Sequence, residues 1–189
     1  MKLHNKYYIL RHGEALSNVR QVISSWPETF KNPLTKHGKE TIKESVEILK
    51  DKGINVIFAS DLLRTKQTAQ IVGKALKLEP KFDKRLRELG FGTLNGRQIA
   101  SLDTTFKNEQ ERIKTSMPKG ESYQDVQKRV FDFLKDTDKK YKNSHILIVS
   151  HEGPLWMLEA KVQGISLQKH LQTIPRDHRI HKGQIKELN

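Results

Sequence analysis

Three short apolar runs, Lys6 to Leu10, Ile54 to Ser60 and His145 to Ser150, constrain what this 189-residue chain can fold into. They read KYYIL, INVIFAS and HILIVS, the near-continuous apolar pattern of strands buried on both faces. Between them, apolar residues recur at helical spacing. Ile42, Val46 and Leu49 stripe the segment Thr35 to Lys52, which Gly53 stops, and Thr65, Thr68, Ala69, Val72 and Leu76 share one face of Arg64 to Leu76. Ser122 with Asp125 forms a capping-box pattern ahead of Val126, Val130, Phe133 and Leu134, which predicts the longest helix. Pro154 suits the first turn of a helix carrying Leu155, Leu158 and Val162. Short strands are expected at Glu79 to Phe82 and Gln184 to Leu188. Leu89 to Lys119 has weak periodicity and reads as an irregular or partly helical excursion.

Strands alternating with helices imply an α/β fold: a three-layer α/β/α sandwich with a mostly parallel central sheet. Residues 1–189 are expected to form one domain with a short cap insertion at about 93–120. Ligands of such sheets bind beyond the carboxyl ends of the strands. Two runs end there in a histidine close to a glycine, at Arg11-His12-Gly13 and at His151-Glu152-Gly153.

Lysine plus arginine number 35 against 22 acidic residues, a net charge of +13 that suits phosphorylated metabolites, nucleic acid or an acidic membrane surface. The absence of cysteine excludes disulfides, thiolate zinc sites and a cysteine nucleophile. Met1 to Asn5 carries no apolar run, and no stretch of about 18 apolar residues occurs, so a soluble, cytoplasmic protein without a membrane partner is expected. No basic-aromatic interleaving or RNA-binding signature is present, so specific nucleic-acid binding is not expected.

The segment Leu10-Arg11-His12-Gly13 with Asn18 resembles the signature of the histidine phosphatase superfamily, which includes the cofactor-dependent phosphoglycerate mutases. Further matches follow in family order: Pro33-Leu34-Thr35 with Gly38, Ser60-Asp61-Leu62-Leu63-Arg64-Thr65 with Thr68-Ala69, and Leu86-Arg87-Glu88 with Phe91-Gly92. Pro118-Lys119-Gly120-Glu121-Ser122 with Arg129-Val130, then Val149-Ser150-His151 with Gly153, complete the series.

Phosphoryl transfer needs an in-line nucleophile, cations on the equatorial oxygens and a proton for the leaving alkoxide. His12 attacks only as a neutral imidazole, which surrounding cations favour, and the resemblance implies that it becomes phosphohistidine. Arg11 and Arg64, read as lying at the ends of neighbouring strands, supply donor forks for phosphate oxygens, and His151 completes the pocket as a further donor. Asn18 matches the family's asparagine and offers its amide. Glu88 matches the family's acidic position and is the candidate proton donor, with Glu14 and Glu152 next by position. Thr35 and Ser122 read as helix caps, and Ser60 as a strand-end residue. No cofactor or metal is expected. His178 and His181 lack a third ligand by sequence.

Three departures from the family pattern stand out: Glu152-Gly153-Pro154 replaces a second glycine after His151, Asn32 stands where aspartate is common, and Val19 to Lys31 matches poorly. The short cap, and a chain that ends soon after its last strand with no tail to fold over the site, favour an open pocket and transfer to water. A phosphatase acting on a small phosphorylated substrate is therefore the first expectation and a phosphoglycerate mutase the second. A non-catalytic basic module that binds phosphate or nucleic acid is the alternative from another class. Lys107, Arg112, Lys114 and Lys119 of the cap are candidate contacts to a second anionic group.

Overall fold

The computed structural model describes residues 2–189; Met1, which opens the N-terminal stretch discussed above, lies outside them. Five strands form one sheet in the order β3-β2-β4-β1-β5, with β1 Lys6–Arg11, β2 Val56–Ala59, β3 Lys81–Phe82, β4 His145–Ser150 and β5 Ile185–Glu187. All pairs are parallel except β1 with β5. The helices are α1 Leu16–Arg20, α2 Lys36–Lys50, α3 Leu63–Leu76, α4 Ser101–Thr105, α5 Tyr123–Lys140, α6 Glu152–Val162 and α7 Leu167–Thr173.

Period-two alternation along the strands divides the core into two layers. Tyr8, Leu10, Leu147 and Val149 face Ile42, Val46, Leu49, Ala69 and Val72 of α2 and α3. Tyr7, Ile9, Ile146 and Ile148 face the opposite layer, built by Val126, Val130 and Phe133 of α5 with Leu155 to Leu158 of α6. Thr35 caps α2 by accepting from the Gly38 amide at 2.9 Å, and Ser122 with Asp125 forms the reciprocal cap of α5. The excursion from Leu89 to Lys119 contains α4 and short 3₁₀ turns. Its apolar residues Leu94, Leu102, Phe106, Ile113 and Met117 are buried in the α5/α6 layer.

One expectation is corrected. Arg11 and Arg64 do not end neighbouring strands: β4 pairs with both β1 and β2 and separates them, and Arg64 lies in the first turn of α3. Three carboxyl ends nevertheless converge, because Arg11 registers with Ser150 and Ala59 with Val149. No helix of the described residues is long and apolar enough to cross a membrane.

Candidate active site

His12 follows β1 directly, its amide continuing the sheet by donating to the Ser150 carbonyl at 3.1 Å. The chain then turns tightly against α2: a Cβ on Gly13 would lie 2.5 Å from the Gly38 carbonyl oxygen, so glycine is required. The His12 ring is 3% exposed, and its two nitrogens have different partners. Nδ1 donates to the Gly13 carbonyl at 2.7 Å, while Nε2 accepts from Nε of Arg64 at 3.1 Å. A carbonyl only accepts and a guanidinium only donates, so these partners assign the proton to Nδ1 and the lone pair to Nε2. Burial foremost, then Arg64 and Arg11, hold the ring well below the usual histidine range against the opposing pull of the Gly13 carbonyl.

Arg64 is equally buried, and desolvation pulls its pKa down to about 10, leaving it charged at neutral pH. Its Nη2 donates to the Ser24 carbonyl at 3.0 Å, and Nη1 lies 3.8 Å from Glu28. Asn32, fully buried, holds that loop: its amide donates to the hydroxyls of Ser17 and Ser24, and its oxygen accepts from the Ser17 amide. The poorly matching stretch Val19 to Lys31 thus builds the seat of Arg64. Asn18 accepts from the Ala15 amide at 2.9 Å through Oδ1, which leaves its NH₂ group for the cavity that it lines.

His151 is fully buried, packed edge-on against His12 with ring centroids 5.1 Å apart. Its Nε2 is 2.9 Å from the Ser60 hydroxyl, and its Nδ1 is buried without a partner. Burial foremost, then the charge of Arg64, hold this ring well below the usual range as well. Arg11 pairs with Glu152 at 2.6 Å and donates to the Ile180 carbonyl at 3.0 Å, while its Nε has no partner.

Glu88 accepts from its neighbour's amide, Leu89, at 2.8 Å. Desolvation raises its carboxyl above the usual range, aided by Glu152 and opposed by that amide and by Arg64 and Arg11. Its backbone is held by residues that the family motifs contained without a stated role. Arg129 donates to the carbonyls of Arg85, Arg87 and Glu88 and forks onto Glu121. Arg87 in turn forms a bidentate pair with Asp61. Gly153 leaves room for the Glu88 carboxyl, since a Cβ there would lie 2.9 Å from Glu88 Oε1 and displace it. Glu14, by contrast, receives the Thr35 hydroxyl at 2.7 Å.

Two small cavities meet at Arg11, Glu88, Phe91 and Leu102. The inner one, about 100 Å³, adds His12, Asn18 and Arg64; the outer one, about 130 Å³, adds Glu109, Arg112, Tyr123, Glu152, Trp156 and Arg179. Of the cap cations, Arg112 lines the outer cavity with its Nε unpartnered, whereas Lys107, Lys114 and Lys119 are exposed. Sequence reasoning missed Glu109, Tyr123, Trp156 and Arg179. The segment between α7 and β5 supplies Arg179, gripped by Glu109 at 2.8 and 3.0 Å, and so walls a site expected to be open. His178 and His181 are exposed, and no group of three potential metal ligands occurs among the described residues.

A fold of this topology, with a neutral histidine facing an arginine at the sheet's carboxyl edge, defines a class of phosphoryl-transfer protein. The sequence profile of the histidine phosphatase superfamily (branch 1) matches residues 7–185, and the chain belongs to that superfamily. The probable phosphoglycerate mutase GpmB of Salmonella arizonae is 34% identical over 163 residues, covering 84% of this chain and 74% of that one. Among solved structures, YhfR of Bacillus stearothermophilus aligns with a TM-score of 0.81 at 25% identity, over 96% of this chain and 89% of that one. The alpha-ribazole phosphatase of Shigella flexneri aligns with a TM-score of 0.79 at 25% identity, over 95% and 88%.

Proposed function

We propose that the protein hydrolyses small phosphate monoesters through a phosphohistidine on Nε2 of His12. The observation that carries this reading is the two-sided clamp on the ring: the Gly13 carbonyl accepts from Nδ1–H and Arg64 donates to the Nε2 lone pair. Nε2 forms a bond to phosphorus as the ester P–O bond breaks, and Glu88, held protonated by burial, gives its proton to the leaving oxygen. Glu88, now a carboxylate, then takes a proton from the water that displaces His12, releasing orthophosphate and restoring both groups. Arg11, Arg64, Asn18 and His151 are the donors assigned to the phosphoryl oxygens, where charge spreads in the transition state. The insertion at 93–120 acts as the cap, with Leu102, Glu109 and Arg112 lining the leaving-group side.

Mutase activity is the second reading, favoured by the GpmB relative. A turnover screen of sugar phosphates, nucleotides, phosphopeptides and p-nitrophenyl phosphate, run beside an assay for interconversion of phosphoglycerates, separates the two. Orthophosphate release without interconversion supports hydrolysis. Interconversion that outpaces release overturns it, and salt-dependent nucleic-acid binding with no turnover would favour a non-catalytic module.

A further inference from the structure

Glu152, the first residue of α6, stands on the wall of the outer cavity. One carboxylate oxygen pairs with Arg11 Nη1 at 2.6 Å, and the other faces Arg179 Nη1 at 3.9 Å. The side chains of Arg11 and Glu152 are only 16% and 20% exposed, so solvent screens this pair weakly. Arg11 lines both cavities, and its buried Nε has no partner. One side of the guanidinium is therefore held by a resident carboxylate while its Nε remains available to an oxyanion.

We infer that Glu152 sets how tightly the phosphoryl pocket holds oxyanions, competing with them for Arg11 so that free orthophosphate leaves readily. A phosphoryl dianion arriving beside His12 meets an arginine whose charge is already partly neutralised and a carboxylate that repels it. An ester offsets this through its leaving group, which reaches Phe91, Leu102 and Arg112 in the outer cavity. Orthophosphate has no such group, so the competition falls hardest on the product. The inference rests on the hydrolase reading for the order of events, while the competition itself is a property of binding.

The test is inhibition of p-nitrophenyl phosphate turnover by orthophosphate near neutral pH. Glu152→Gln should lower the inhibition constant by about tenfold or more and lower KM with it, because a neutral amide no longer repels the dianion. Glu152→Asp, which keeps the charge, should stay within about threefold of the parent, and Glu152→Ala provides a second neutral variant should the Gln protein misfold. An inhibition constant unchanged or raised in the neutral variants would overturn the inference and leave Glu152 as a residue that positions Arg11. If neither p-nitrophenyl phosphate nor any other ester of the turnover screen releases orthophosphate, the hydrolase reading fails. Calorimetric titration of orthophosphate into parent and variants then decides the competition by the same tenfold criterion.

Discussion

Arg64 donates through Nε to Nε2 of His12 at 3.1 Å, an arrangement possible only while that nitrogen carries a lone pair. In the proposed reaction that lone pair is the attacking one, and the same contact places a cation where a phosphoryl group would arrive. Arg64→Lys removes the planar fork and its Nε donor while keeping the charge. Turnover of p-nitrophenyl phosphate should fall by about 100-fold or more, the scale of losing one transition-state donor. Activity within a few-fold of the parent would show that Arg64 is a bystander.

Glu88 and Gly153 make a joint prediction. Glu88→Gln should cost on the order of 100-fold for alkyl phosphates, whose leaving group needs a proton, and clearly less for p-nitrophenyl phosphate. Gly153→Ala should show the same bias in weaker form, because the new methyl lies 2.9 Å from Glu88 Oε1. Alkyl phosphate turnover should also decline as pH rises through the raised pKa of Glu88, since the acid form is the active one. Burial and Glu152 raise that pKa, with the Leu89 amide, Arg64 and Arg11 opposing. Equal losses on both substrates would assign Glu88 to binding or folding.

The pH dependence of stability has a definite sign. Burial holds His12, His151 and His170 below the ordinary value of 6.5, so below that pH the unfolded chain binds protons that the folded chain refuses. Stability should be full above about 6.5 and fall as pH drops towards the lowered folded values, by up to about 1.4 kcal/mol per pH unit for each histidine. His170 is the informative one: it packs against Trp156 with centroids 4.9 Å apart and the rings tilted by 35°, and both its ring nitrogens lack partners. Urea titrations should find His170→Phe less sensitive than the parent to acidification from neutral pH. An unchanged slope would contradict the assignment.

Of the four candidate contacts in the cap, Arg112 alone lines the outer cavity, and it lies 3.9 Å from exposed Asp103. Arg112→Met should raise KM for substrates carrying a second anionic group while sparing p-nitrophenyl phosphate. Replacing Lys107, Lys114 and Lys119 together should change neither. Equal effects on both substrates would return Arg112 to a structural role.

Local pattern made the candidate site's edge of the sheet legible. The apolar runs ending at His12 and His151 are β1 and β4, and the motifs placed Arg64 and Glu88 beside them. What stayed illegible depends on contacts distant in sequence. Nothing local indicates that β4 inserts between β1 and β2, or that Arg179 reaches back to Glu109. Asn32 and the Val19 to Lys31 stretch read as departures. Their purpose, seating Ser24 under Arg64, emerges only once the loop closes on α3. Arg129 and Glu121 matched the family pattern, yet their grip on the backbone around Glu88 is a tertiary fact.

The central claim concerns one side chain, that of His12. A single turnover with radiolabelled substrate in EDTA, quenched in alkali to preserve phosphohistidine and followed by peptide mapping, tests it most directly. Chelation should not matter, because arginines supply the positive charge that a metal ion supplies elsewhere. The phosphoryl group should appear transiently on the peptide containing His12, and His12→Ala should lose both label and turnover while keeping its circular dichroism spectrum. Label on another residue, or turnover in His12→Ala at the parent rate, would contradict the assignment.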